Sequence, residues 1–318
     1  MNRLEKVMTN KWSVFFIATF CCLLWGSAFP FTQIAYSWMG VSSSDIPSQI
    51  LLAGYRFIGS GLLVIIFMSI VTRKPFLPQA KDWKMIVPSS FFQTSIQYSC
   101  VYISLSQISS AKCSIIFSLA VFTTLIMSAL LFKQEKLTSR KMIGCVLGFL
   151  GVVLVNLSGQ AGQDTSILGI LTIIGACISS SFSYCYMKKW SAKINPILIS
   201  GWQFLVGGIT LFIAGTILGG SIEPVGAGSW GLSLYMSFIS AAGFSLWSTL
   251  LRFNTVSSVG VYSFENPVFG VLLSIAFFGN TTGLSWFQGL MALILVCAGI
   301  IVVNIEPKQK KTRAALVS

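Results

Sequence analysis

Three side chains that carry charge at neutral pH fall inside long apolar runs of this chain: Arg56, Lys112 and Glu265. A charged group at the centre of a membrane-spanning helix costs about 2.5–3.5 kcal/mol on insertion scales, so such residues turn toward a cavity or a partner. Counting about 1.5 Å of rise per residue, Arg56 lies about 13 Å below the outer start of its run, and Glu265 about 12 Å above the inner start of its own. Both depths are close to the middle of a bilayer. Lys112 is about one turn from the outer surface, where its stem can carry the ammonium to the interface.

A carboxylate at mid-depth can bind a cationic group or a proton. Asn266 and Pro267 follow Glu265 directly, and Pro267 has no N–H to donate to the carbonyl of Ser263. A loosened turn beside a carboxylate is one way a membrane protein builds a ligand site. Two other readings of Glu265 stand beside it: an ion pair with Arg56, or a carboxyl held protonated by burial. Tyr262 precedes Glu265 by one helical turn, and with Trp247 it offers the aromatic faces that suit an organic cation. Gln93, Gln97, Tyr98 and Tyr102 follow spacings that predict one broad helical face, and amides turned toward lipid are costly. With 25 phenylalanines in the chain, helix packing alone also produces aromatic clusters. Trp25 and Gly26 with Pro30 predict a kink in the first apolar run, serving either as a hinge or for close packing.

Other chemistries lack their residues. The chain has no histidine, and its eight cysteines all lie in apolar runs without metal-ligand spacing; they read as free thiols packed as small apolar side chains. No metal and no cofactor are expected. An intramembrane enzyme needs a nucleophile–base pair or metal ligands, and one mid-depth carboxylate supplies neither. No Gly-rich phosphate loop ending in Gly-Lys-Ser/Thr is present, which argues against ATP-driven work by this chain. A non-enzymatic function is expected.

The elements that must position these residues are legible from composition. Of 318 residues 54% are hydrophobic and 9% charged, with mean hydropathy +0.81, against about 25% charged residues in an ordinary soluble domain. Apolar runs of spanning length lie near 12–38, 47–71, 84–105, 109–132, 140–157, 166–187, 196–218, 230–251, 257–278 and 285–304. A polar stretch, Ser106 to Ser110, separates the third from the fourth. With the N-terminus inside and the runs alternating, every one of the 21 Lys and Arg residues other than Arg56 and Lys112 falls in an inside segment. The outside loops carry Asp45, Asp164 and Glu223. This distribution predicts ten transmembrane helices with both termini in the cytoplasm, in a bacterial inner membrane. It also assigns the net charge of +13 to membrane topology, so nucleic acid is not an expected partner. Arg3, Lys6 and Lys11 precede an apolar run too long for a signal peptide, which reads as an uncleaved first helix.

The chain also repeats itself. Gly54 to Gly61 in the second run resembles Gly201 to Gly208 in the seventh at a constant offset of 147. Pro47 and Pro196 open those runs, and Gly151 to Asn156 resembles Gly299 to Asn304 at the ends of the fifth and tenth. Five spans is an odd number, so the second half inserts upside down relative to the first. The fold expected is an all-α integral membrane protein of two inverted five-helix repeats, an arrangement that lets one cavity open to either side in turn. Residues 1–11 form a cytoplasmic N-terminus, 12–157 the first repeat, 158–165 an external linker, 166–304 the second repeat, and 305–318 a basic cytoplasmic tail. Gly144, Gly148 and Gly151 allow close helix approach.

These residues resemble the drug/metabolite transporter superfamily, in its ten-helix branch of two EamA-type domains. Trp25-Gly26-Ser27-Ala28-Phe29 is similar to that family's Trp-Gly opening, and Arg56-Phe57 to its Arg-Phe in the second helix. Phe132 to Thr138 resembles its Glu-x-Leu-Thr junction, and Pro267-Val268 the Pro-Val of its second domain. The resemblance runs from about residue 12 to residue 305, and it makes Arg56 a shared scaffold feature. It implies a secondary transporter that moves an amino acid, amine or drug-like metabolite by alternating access, coupled to protons or to exchange. The expected partners are a small-molecule substrate, membrane lipid and a proton as coupling ion, with the oligomeric state left open. The rival readings are a passive channel or a membrane scaffold. Glu265, Asn266, Tyr262, Trp247, Gln93, Gln97, Tyr98 and Tyr102 are the expected substrate contacts; Arg56, Lys112, Trp25, Gly26, Pro30 and Pro267 are expected in structural or coupling roles.

Overall fold

The structure, a computed structural model, describes residues 3–134, 137–157, 166–190, 194–254, 259, 261–279 and 286–304. The expected linker 158–165 and tail 305–318 lie outside the described residues, as does Asp164. Every described element is a helix. In chain order these are α1 (Arg3–Met8), α2 (Lys11–Trp38), α3 (Ile46–Thr72), α4 (Trp83–Ser89), a π-helical segment (Ser90–Ile96), α5 (Gln97–Gln107), α6 (Ser110–Phe117), α7 (Leu119–Leu130), α8 (Ser139–Leu157), α9 (Ile167–Trp190), α10 (Pro196–Ile217), α11 (Ala227–Phe253), a 3-10 turn (Val261–Phe264), α12 (Glu265–Phe278) and α13 (Trp286–Asn304). Among the described residues, six helices are long and apolar enough to cross a membrane: Lys11–Trp38, Ile46–Thr72, Ser110–Leu130, Ile167–Lys188, Pro196–Ile217 and Ala227–Phe253. Shorter apolar helices span Glu265–Phe278 and Gly289–Val303.

Local chemistry sets the helix starts. Asn10 Oδ1 accepts from the N–H groups of Trp12 and Ser13 ahead of α2. Asp45 accepts from Ser48 N–H ahead of α3, and Asn195 from Ile197 N–H ahead of α10. These caps satisfy donors that the first turn leaves free. Pro47 and Pro196 sit in the first turns that follow, where a missing N–H does no harm. The polar stretch between the third and fourth apolar runs is a true break. Ile108 is extended, and Gln33 of α2 ties the two ends together, its Nε2 donating to Leu105 O (3.0 Å) and Ile108 O (3.1 Å) while its Oε1 accepts from Ser110 N–H (3.2 Å).

The helices associate through two seams that repeat the sequence symmetry. Along α3 and α10, a Cβ on Gly54 would come 2.6 Å from Phe212 N, and one on Gly201 would come 3.3 Å from Ile65 Cγ1. A Cβ on Gly61 would come 2.5 Å from Leu205 N, and one on Gly208 would come 2.5 Å from Ile58 N. Each contact is the other's image at the offset of 147. Along α8 and α13, Gly151 faces Ala292 O and Val296, while Gly299 faces Gly144 O and Gly148 N. Those contacts are again reciprocal, at an offset of 148. Glycine permits this because lipid provides no hydrophobic drive between helices, so close backbone approach has to supply the attraction. The remaining helices follow the same exchange: α2 packs on α11 and α12, and α9 packs on α5 and α7.

Two expectations need correction. Lys112 does not extend out from the protein surface; it is 2% exposed and buried near the start of α6. The helical face expected for Gln93, Gln97, Tyr98 and Tyr102 is divided by the π-helical turn, whose wider i→i+5 pitch rotates the residues that follow it. Gln93 consequently accepts from the hydroxyl of Ser183 of α9, whereas the Tyr98 ring packs at a tilt against Phe57 of α3.

Candidate functional site

Apart from Gln93, held at Ser183 of α9, and Lys112 in α6, the sequence-predicted residues gather in two neighbourhoods joined by a row of aromatic rings. The first lies where α12 meets α2. Glu265 opens α12 immediately after the 3-10 turn, so the irregular backbone expected beside Pro267 is present. Thr19 lies beside its carboxylate, about two turns inside the Lys11 end of α2. Glu265 Oε2 has no hydrogen-bond partner, and the same holds for Asn266 Oδ1, Trp25 Nε1 and Ser114 Oγ. Buried polar atoms are nearly always paired, and these four orphans lie on the packed elements α2, α12 and α6. The close seam there comes from Gly26: a Cβ would come 2.7 Å from Phe269 Cβ and 2.8 Å from Gly270 N. Pro30 lies within α2, which continues as one helix to Trp38. Cys22 Sγ donates to Tyr262 O (3.4 Å), and the Tyr262 ring meets Phe15 edge-on at 5.9 Å.

Arg56 is the centre of the second neighbourhood. It is 3% exposed. Its Nη2 donates to Ser240 Oγ (3.1 Å) on α11 and its Nη1 to Tyr102 OH (3.5 Å) on α5, while Nε has no partner. The ion pair with Glu265 that the sequence left open does not form. The guanidinium lies 5.1 Å from the Phe57 ring centre and 5.8 Å from that of Tyr98. Tyr36 donates its hydroxyl to the carbonyl of Tyr102, which fixes that backbone against α2. Gln97 is buried with Oε1 unpaired.

The ring row connects the two. Tyr98 meets Phe57 at 4.1 Å, Phe57 meets Phe204 at 5.4 Å, and Phe204 meets Phe244 at 4.9 Å. Phe244 then meets Trp25 at 5.3 Å, and Trp25 meets Trp247 at 5.2 Å. Sequence reasoning found Trp25 and Trp247 but not their contact, and it missed Thr19, Ser114, Ser240 and Gln203. Hydroxyls on apolar helices carry no local signal. Gln203 did carry one, since it stands at the repeat position of Arg56, and it is fully buried with both side-chain polar atoms unpaired.

The EamA-like transporter family matches this sequence twice, over residues 11–157 and 167–305. The chain belongs to that family. Its two matched stretches coincide with the halves that exchange contacts across the glycine seams. An uncharacterized transporter of Bacillus subtilis strain 168, YvbV, is 25% identical over 99% of this chain and 97% of its own. A Salmonella typhimurium LT2 protein described as a probable amino-acid metabolite efflux pump is 22% identical over 90% of this chain and 93% of its own. A protein of known crystal structure shares the fold with a TM-score of 0.64 at 19% identity, covering 92% of this chain and 96% of that one.

Proposed function

We propose that this EamA-family chain is a secondary active transporter that carries a small organic metabolite (an amino acid, an amine or a drug-like compound) across a bacterial inner membrane by alternating access. The proposal includes ten transmembrane helices in two inverted repeats, residues 12–157 and 166–304, with both termini cytoplasmic. Transport is coupled to protons or to exchange. The observation that carries this reading is the reciprocal glycine packing at the α3–α10 and α8–α13 seams. A scaffold that can be exchanged with its own image has two states of similar energy, open to opposite sides.

Glu265, Asn266, Tyr262 and Trp247 are proposed as contacts for the cationic or protonated part of the cargo. Gln93, Gln97, Tyr98 and Tyr102 are proposed to line the passage at the Arg56 end of the aromatic row. Support for Glu265 comes from its unpaired Oε2, from Thr19 beside the carboxylate and from the unpaired Oδ1 of Asn266. Trp25, Gly26, Pro30 and Pro267 hold the α2–α12 seam on which this arrangement depends, and Lys112 is given a structural role. Proteoliposomes loaded with candidate metabolites test the reading. A carrier shows saturable uptake and counterflow, in which unlabelled cargo on one side accelerates entry from the other. A channel shows neither, and linear uptake without counterflow would sink the proposal.

A further inference from the structure

Among the described residues, Arg56 is bonded to hydroxyls and forms no ion pair with a carboxylate. The side chain is nine-tenths buried or more, its partners are the hydroxyls of Ser240 and Tyr102, and Nε donates to nothing. Hydroxyls and the Phe57 and Tyr98 rings ease the loss of water around a guanidinium, but they do not neutralise it. The fold builds the position twice, and only the first repeat carries a cation there; in the second it is filled by Gln203, uncharged and fully buried. The packing of the repeat is therefore met by a neutral amide on one side of the symmetry, and the charge is particular to the other. Retaining a buried cation within a spanning helix is unfavourable unless something of opposite charge meets it.

We propose that Arg56 anchors a carboxylate group on the transported molecule. This rests on the reading of the chain as a carrier, and it is independent of any role for Glu265. The planar guanidinium presents Nε and an Nη side by side, the fork that matches both oxygens of a carboxylate. Ser240 and Tyr102 hold the fork in place from α11 and α5, one in each repeat, so a ligand there touches both halves of the molecule. The rings of Tyr98 and Phe57 flank the charge.

The test uses the purified full-length chain in detergent and a thermal-shift panel. The probes are the proteinogenic L-amino acids and short monocarboxylates, each beside its amide, which removes the negative charge while nearly preserving shape. At least one acid is expected to stabilise the wild type at a concentration about tenfold or more below that of its amide, the ratio a charge-assisted hydrogen bond supplies. In Arg56→Gln the acid and the amide should become equivalent. If the stabilising ligands are only amines or neutral compounds, or if acid and amide act alike on the wild type, the anchor is wrong. It is equally wrong if Arg56→Gln keeps the preference. Should Arg56→Gln fail to fold, the wild-type ratio decides, and Arg56→Lys, which keeps the charge and loses the fork, is expected to shrink it. Counterflow with cargo that has no acid group would overturn the anchor and leave the carrier standing, whereas acid binding without counterflow would do the reverse.

Discussion

Gly61 and Gly208 are images of one another across the α3–α10 seam: a Cβ on either would come within 2.5 Å of a backbone nitrogen of the facing helix, Leu205 for the first and Ile58 for the second. Backbone cannot move aside as a flexible side chain can. Gly61→Ala and Gly208→Ala are therefore expected to destabilise the protein by similar amounts, about 1–3 kcal/mol each, as overpacking does elsewhere. Gly231→Ala is the control, because a Cβ there meets nothing within 4 Å. Thermal unfolding of the three purified variants checks this, and equal melting of Gly208→Ala and Gly231→Ala would contradict the seam.

Gln33 is the second prediction. Its one amide serves both ends of the break between α5 and α6, with contacts to Leu105 O, Ile108 O and Ser110 N–H. Gln33→Leu keeps the volume and strands those backbone groups, each costing about 1–3 kcal/mol if it stays buried and unpaired. The variant is expected to melt below the wild type, and protease should cut preferentially near residues 106–110. Wild-type melting with an uncut hinge would show that the backbone finds other partners.

How much of this was legible in the sequence varied with the kind of interaction. The offset between Gly54 and Gly201 was visible as a repeat, and the structure turns it into a pair of image contacts, Gly54 on Phe212 and Gly201 on Ile65, because residues at equivalent positions of a symmetry seam meet the facing helix reciprocally. The hinge at Ser106 to Ser110 was readable because polar residues interrupt an apolar run. The π-helical turn at Ser90–Ile96 was not, since its side chains differ little from those of an ordinary helix and only the hydrogen-bond pattern changes. Lys112 was misplaced for a related reason. Sequence depth measures distance along the membrane normal and says nothing about which way the side chain points. The Glu265 neighbourhood was half visible: the carboxylate stands out in any apolar helix, while Thr19 and Ser114 look like routine helix hydroxyls until the packing brings them to α12.

Topology gives a third prediction. Ser44 is exposed in the segment between α2 and α3, and Gln79 between α3 and α4; the proposed topology puts the first outside and the second in the cytoplasm. Six of the eight native cysteines are buried and the other two, Cys100 and Cys297, are only partly exposed, so background labelling should be low. A membrane-impermeant maleimide applied to intact cells should label Ser44→Cys promptly. It should reach Gln79→Cys only after the membrane is opened. Reversed or equal labelling would remove the assigned orientation.

The fourth prediction concerns Glu265 itself. Its carboxylate shares the α2–α12 seam with Thr19, and Oε2 lacks a partner that would fix its charge state. A group in that position can exchange a proton or a cationic substituent as the seam opens to each side, because no ion pair has to be broken first. Glu265→Gln retains the size and hydrogen-bonding capacity of a protonated carboxyl and removes only the ability to ionise. The variant is expected to fold with wild-type melting, since no salt bridge is lost. Uptake by proteoliposomes should then either fall by an order of magnitude or more, or proceed at a rate that no longer changes with pH. If Glu265→Gln transports at the wild-type rate and keeps the wild-type pH profile, the carboxylate takes no part in carrying charge, and the site must be sought around Arg56 alone.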